Sequence, residues 1–340
     1  MIDVPGVDLD RLRSTLAGPL EVAPADLSVE VIEGGRSNLT YRLTAGTRAW
    51  VLRRPPLGHV LATAHDMARE YRVMTALRPA GVRVPEMLHF ETDTDLIGTP
   101  FFVMEFVDGL VVRSDADAAL ISTEDARRAG DELVDQLVAL HRVDPEAAGL
   151  ASLGRPVGYL QRQVTRWQRQ WADSSGAATG QPLDELGAQL IRRLPGRPGS
   201  AIVHGDYRLD NTILDASDHG RVAAIIDWEM ATLGDPLADL GLLLTYWSPL
   251  SARVTGAGHP VSTNQGFPDG AYLAHRYEQV SESVIEDLAF YEAFGHFKLA
   301  VIAQTIHARY LQGLTVGPEF ASAGTAVADL IARGHELLSS

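Results

Sequence analysis

The sequence predicts an α+β chain with a β-rich N-terminal lobe and a mostly helical C-terminal lobe. Three observations carry this reading. Short strand-like segments crowd the first hundred residues, long helical patterns dominate after Gly109, and one small β island returns near residues 201–226.

The elements follow in chain order. Leu9, Leu12 and Leu16 stand at helical spacing and predict a short helix over 8–17. Strands are expected at 27–32, 40–44 and 49–53, an antiparallel meander ended by Pro55-Pro56-Leu57-Gly58. A helix over roughly 63–78 carries Met67, Glu70, Met74 and Leu77 on one face, and Gly81 closes it. Two more strands fit at 86–91 and 101–107. Beyond Gly109, helices are expected over 123–142 and 157–172, with a polar loop at 173–182. Strands return at 201–203, 212–214 and 222–226. Helices run from 236 onward, broken by a Pro/Gly-rich loop at 252–270. The change of character places one lobe at residues 1–107 and the other at 108–340.

Composition narrows the function. The 340 residues are 46% hydrophobic and 21% charged, enough to bury a real core. A net charge of −15 disfavours nucleic acid and anionic membranes as partners. No cysteine is present, which excludes disulfides, thiolate nucleophiles and cysteine metal sites. No apolar run approaches a membrane span, and the first residues do not read as a secretion signal. A cytoplasmic protein without membrane partners is the expectation, and a homodimer stays open.

The strongest chemical signal is His204-Gly205-Asp206-Tyr207-Arg208-Leu209-Asp210-Asn211, followed by Ile226-Asp227-Trp228-Glu229. An Asp and an Asn five residues apart, then a second Asp at a strand end, repeat the spacing of a kinase catalytic loop and its metal-binding Asp. The residue types suit the chemistry. A hydroxyl nucleophile needs a carboxylate to orient it and take its proton, the role of Asp206. Magnesium takes hard oxygen ligands, here Asn211 and Asp227, with phosphates completing its shell. Each residue alone reads more simply as a turn or cap, and the joint spacing favours the catalytic reading. A metallohydrolase using His204, Asp206 and Asp227 is the weaker rival, since no further histidines are paired to complete its site.

Together with Gly234-Asp235-Pro236-Leu237-Ala238-Asp239-Leu240, these motifs resemble the aminoglycoside phosphotransferase and choline kinase superfamily. The pattern is most similar to the branch related to the kinase-like domain of acyl-CoA dehydrogenase fusion proteins. The resemblance implies a protein-kinase-like two-lobed fold, Mg2+, and ATP or GTP as co-substrate. It also implies a small-molecule alcohol as phosphoryl acceptor. Asp239 is expected to brace the loop of Asp206 by accepting backbone hydrogen bonds, and Asp235 to cap a helix.

Family kinases pair a helix Glu, here Glu70, with a phosphate-binding lysine on the third strand. This chain reads Trp50-Val51-Leu52-Arg53-Arg54-Pro55 there, with no lysine. Strand alternation puts Arg53 on the face opposite Leu52, so Arg53 takes the phosphate role; a solvated arginine beside a turn is the plainer reading. The resemblance makes Glu33-Gly34-Gly35-Arg36-Ser37-Asn38 the loop over the phosphates, with Ser37 as a contact. It makes backbone groups of Glu105 and Val107 the adenine edge. The missing lysine keeps a nucleotide-binding pseudokinase as the alternative to an enzyme. Acceptor-side candidates are Tyr159, Arg162, Trp167, Tyr246, Trp247, Tyr291, His296 and Tyr310, although aromatics at helical spacing are more often core. The acidic composition and Glu229 favour a neutral or cationic acceptor, unless Arg162, Arg166 and Arg309 gather at the pocket.

Overall fold

The protein is described by a computed structural model covering residues 6–32, 38–57, 66–175, 181–255, 258–313 and 322–339. The chain divides into two compact units. The first is Met1–Asp108 with Ala224–Glu229; the second is Gly109–Ala223 with Met230–Ser340.

The first unit opens with α1 (Leu9–Leu20), whose N-cap Asp8 accepts a hydrogen bond from the Arg11 amide. It continues through β1 (Ser28–Val31), β2 (Leu39–Ala45), β3 (Arg48–Arg54), α2 (Met67–Leu77), β4 (Met87–Glu91) and β5 (Phe101–Glu105). These strands form one antiparallel sheet in the order β1-β2-β3-β5-β4. β2 turns into β3 through Gly46-Thr47, and Gly46 adopts φ +60°, a conformation only glycine reaches at no steric cost. Leu12, Leu16 and Leu20 of α1 pack on Tyr41, Leu43, Leu52, Phe101 and Val103 from one face of the sheet. Each buried leucine contributes about 1.5–3 kcal/mol to holding α1 there. The strand phase follows from this packing: Trp50, Leu52 and Arg54 lie on one side of β3, and Arg53 on the other. Arg54 is buried and donates to the carbonyls of Gly6 and Ile97.

The second unit begins with β6 (Gly109–Leu110), α3 (Asp115–Ala118), α4 (Thr123–His141), α5 (Tyr159–Ser175) and α6 (Gln181–Arg192). Next come β7 (Ala201–Val203), β8 (Thr212–Asp215), β9 (Asp218–Ile225) and β10 (Thr232–Gly234). The last helices are α7 (Pro236–Trp247), α8 (Ala252–Thr255), α9 (Pro260–Thr263), α10 (Gly270–Ser281), α11 (Leu288–Leu311) and α12 (Ala323–Ser339). β7 pairs antiparallel with β10, while β8 lies between β6 and β9. α7 and α11 cross with backbones in contact. A Cβ on Gly241 would sit 2.3 Å from the Tyr291 carbonyl oxygen, and one on Gly295 would sit 2.2 Å from Thr245 Oγ1. That crossing brings polar residues of both helices to the loop after β7.

Several expectations need correction. Helix α5 continues to Ser175, into the segment read as a polar loop, and α6 was not anticipated. The strand expected at 222–226 begins at Asp218. The loop expected at 252–270 contains α8 and α9, the latter with Pro260 at its start and the His259 side chain accepting from the Ser262 amide.

Candidate active site

The expected site residues form two clusters, one in each unit. In the first unit, Arg53 of β3 meets Glu70 of α2, with Nε 3.3 Å from Glu70 Oε2. The same guanidinium donates to Asp227 Oδ1 at 2.7 Å. The Arg53–Glu70 pair expected from the strand phase is therefore formed. Glu70 is 1% exposed. Burial pushes its carboxyl pKa up, and Arg53 opposes that push. Burial alone would lower the Arg53 pKa, but Glu70 and Asp227 more than reverse it, so the guanidinium stays charged.

Asp227 sits in the short segment Ala224–Glu229, which is tied to this unit by the Ile225 amide donating to the Arg83 carbonyl at 2.7 Å. The fully buried Trp228 anchors it further, its Nε1 donating to the Ile225 carbonyl at 3.0 Å. Asp227 has φ +68°, a left-handed conformation that costs a non-glycine residue about 1–3 kcal/mol and commonly marks a functional position. Glu229 Oε2 accepts from Asn38 Nδ2 at 3.4 Å. Ser37 lies outside the described residues. Glu105 ends β5; its amide donates to the Glu86 carbonyl at 2.8 Å, and its carboxylate accepts from Arg78 and from the Glu86 amide. That amide is therefore already committed to the residue just before β4. Val107 follows, half-buried.

In the second unit, β7 delivers the chain to His204 and the loop carrying Asp206. The loop is pinned on several sides. Asp239 of α7 accepts from the His204 amide at 2.6 Å and the Gly205 amide at 2.9 Å, the bracing role expected for it. Burial would raise the Asp239 pKa, but a hydrogen bond from His141, nearby His204 and the Gly205 amide bring it below its ordinary value. His141 closes α4, with Nε2 3.4 Å from Asp239 and Nδ1 2.9 Å from the Tyr277 hydroxyl. Tyr207 is fully buried and donates to the Leu133 carbonyl at 2.7 Å. Asp235 caps α7 through the Leu237 amide and also accepts from the Tyr291 hydroxyl at 2.8 Å.

Asn211 donates through Nδ2 to both the backbone carbonyl and Oδ2 of Asp206, at 2.8 and 3.0 Å. Its amide oxygen is then the atom of the right hardness for magnesium. Arg208 places Nε 3.3 Å from Asp206 Oδ2 and Nη1 3.1 Å from Asp210 Oδ2, with its guanidinium 4.8 Å over the Tyr246 ring. Burial alone would raise the Asp206 pKa. Arg208, Lys298, His204 and the Asn211 hydrogen bond overcome it, and the carboxyl lies below its ordinary value. Asp206 is thus an ionised carboxylate in a pinned turn.

A model described as the phosphotransferase enzyme family matches residues 28–259. The chain belongs to that family.

Among proteins similar to this chain, acyl-CoA dehydrogenase family member 11 of Gallus gallus is 38% identical over 295 residues. The alignment takes in 84% of this chain but 37% of the chicken protein, so the chain spans little more than a third of that relative. A crystal structure from Ralstonia eutropha JMP134, described as a candidate aminoglycoside phosphotransferase, is 32% identical. It superposes with a TM-score of 0.82 over 98% of both chains. The aminoglycoside phosphotransferase APH(4)-Ia, solved with AMP-PNP and hygromycin B, shares 14% identity and a TM-score of 0.61 over 96% of this chain and 97% of its own. That likeness concerns the fold, which is the protein-kinase-like one, with a β-sheet N-terminal region and a mostly helical C-terminal part.

The sequence reading missed Lys298. It lies on α11, donates to the Gly205 carbonyl, and stands 5.3 Å from the Trp167 ring. One signal was available: it is the only lysine in the chain. Arg208 and Lys298 offset part of the negative charge around Asp206. Of the acceptor-side aromatics, Tyr159, Trp167, Trp247 and Tyr291 are buried. Arg162 donates to the carbonyls of Val157 and Arg155, in the segment just before α5.

Proposed function

We propose that this phosphotransferase moves the γ-phosphoryl of ATP or GTP to a hydroxyl of a small molecule. The observation that carries the reading is the loop around Asp206. Its carboxylate is held by Asn211, its backbone by Asp239, and its charge by Arg208 and Lys298. Phosphoryl transfer needs positioning and electrostatic stabilisation more than covalent chemistry, and this loop is built for both.

In the proposed reaction Asp206 orients the acceptor hydroxyl and takes its proton. Arg53, fixed by Glu70, contacts phosphate oxygens, as would Ser37, while backbone groups of Glu105 and Val107 meet the base. Asn211 and Asp227 offer one amide and one carboxylate oxygen, hard donors of the type Mg2+ prefers. Among the described residues no three His, Cys, Asp or Glu side chains could hold a metal by themselves. These two residues therefore suit an ion that arrives with the nucleotide phosphates. Such an ion would neutralise phosphate charge.

The second reading is a nucleotide-binding pseudokinase, and the Arg53–Asp227 contact favours it, because it engages a proposed metal ligand with a guanidinium. The experiment is a turnover assay with ATP or GTP, with and without Mg2+, against a panel of alcohols. The panel should hold aminoglycosides, amino alcohols, sugars and hydroxylated acyl thioesters, the last prompted by the names of the relatives. Mg2+-dependent phosphorylation of any acceptor supports the enzyme. Nucleotide binding without turnover on the whole panel supports the pseudokinase.

A further inference from the structure

We infer that Lys298 is the positioning residue of the Asp206 loop: its ammonium clamps the Gly205 carbonyl and so sets the direction of the Asp206 side chain. The inference rests on the proposed role of Asp206 for its kinetic consequence, but not for the clamp itself.

Gly205 is the weak point of the turn. It adopts φ +83°, and a Cβ there would lie 2.8 Å from the Met230 carbonyl oxygen, so the position demands glycine. Glycine is also the residue with the most backbone freedom. Rotation of either peptide flanking Gly205 would re-aim Asp206. Each is held by a buried charge of opposite sign. Asp239 of α7 takes the Gly205 amide, and Lys298 of α11 gives a hydrogen bond to the Gly205 carbonyl.

The choice of residue supports the clamp. Every other member of the 29 Lys and Arg residues is an arginine, yet the interior position carries the single lysine, 6% exposed. An ammonium is compact enough to meet one carbonyl while lying against an indole face. A buried cation is costly unless paired. The neighbours on α11 are apolar, and simple packing would favour another such residue over a charge. Asp206 and Asp239 supply the compensating charge, against Arg166 and Arg208.

Two measurements test the clamp. A chain labelled with isotopic lysine gives one side-chain amine signal. The clamp predicts an ammonium whose protons exchange slowly with water near neutral pH. Exchange as fast as that of free lysine overturns the proposal, whatever the activity of the protein. The second is Lys298→Met, which keeps the length of the side chain without the donor. It should lower kcat roughly 10²-fold, the scale of a small misplacement of a reacting group, with nucleotide affinity retained. A folded Lys298→Met protein with wild-type kcat overturns the proposal. If no acceptor supports turnover in the wild type, the proposed function fails by itself and the exchange measurement still decides the clamp.

Discussion

In the first unit one guanidinium, that of Arg53, serves two carboxylates, Glu70 and Asp227. In the second, one carboxylate, Asp206, is served by an arginine, a lysine and an amide, while a further buried carboxylate holds the two backbone amides just before it. Sharing and redundancy have different consequences. Where one cation is shared, any phosphate that draws Arg53 toward itself changes the surroundings of both acids, so the cluster is suited to respond to a ligand. Where one acid has many partners, no single contact sets its ionisation, so the cluster is suited to hold still.

The contrast is broken most severely at Asp206. Asp206→Asn should lower turnover by roughly 10²–10⁴, the range of general base catalysis, while melting temperature and nucleotide affinity hold. Near-wild-type turnover would remove Asp206 from its assigned role. Next comes the support beneath it. Asp239→Ala strands two backbone amides and His141, and should cost about 3–5 kcal/mol of stability near neutral pH, read by urea unfolding. The pH dependence has a definite sign. The folded Asp239 pKa lies below its unfolded value, so its stabilisation is present above the usual aspartate range and disappears as pH falls through the folded value. The gap between wild type and variant should therefore narrow in acid. A gap that widens in acid contradicts the assignment.

The shared cation is the third test. Arg53→Ala, Glu70→Ala and the double variant should be non-additive in nucleotide affinity, with a coupling of about 0.5–3 kcal/mol. Additive losses would mean that Arg53 and Glu70 act separately. The smallest effect concerns the helix that carries Glu70. Asp66 caps α2 by accepting from the Arg69 amide at 3.0 Å. Asp66→Ala should cost about 0.5–2 kcal/mol of stability, read by thermal unfolding, with turnover unchanged at temperatures where the fold is intact. A large loss of turnover there would show that α2 placement is finely tuned.

Much of this contrast was legible beforehand because it is local or periodic. Two-residue alternation fixed the side of β3 on which Arg53 lies, and 3.6-residue periodicity put Glu70 on the inner face of α2. Asp206, Asn211 and Asp227 stand out by residue type and by spacing within a short stretch of chain. What escaped depends on distant partners. β10 has three residues and exists because β7 lies beside it. Helix α6 carries Leu183, Leu186 and Leu190 at helical spacing, but adjoins a segment of Ser, Gly and Pro that reads as loop. α11 is apolar nearly all round through its first half, so no amphipathic stripe marks which side meets the loop. The Lys298–Gly205 contact spans 93 positions of sequence.

The solitary lysine also has a practical consequence. The folded surface offers no lysine amines, since Lys298 lies inside. A reagent directed at amines can reach that side chain only when α11 and the loop part from each other. The rate of side-chain acylation, followed by mass spectrometry, therefore counts opening events of the loop itself, and a ligand that settles Asp206 should slow that clock.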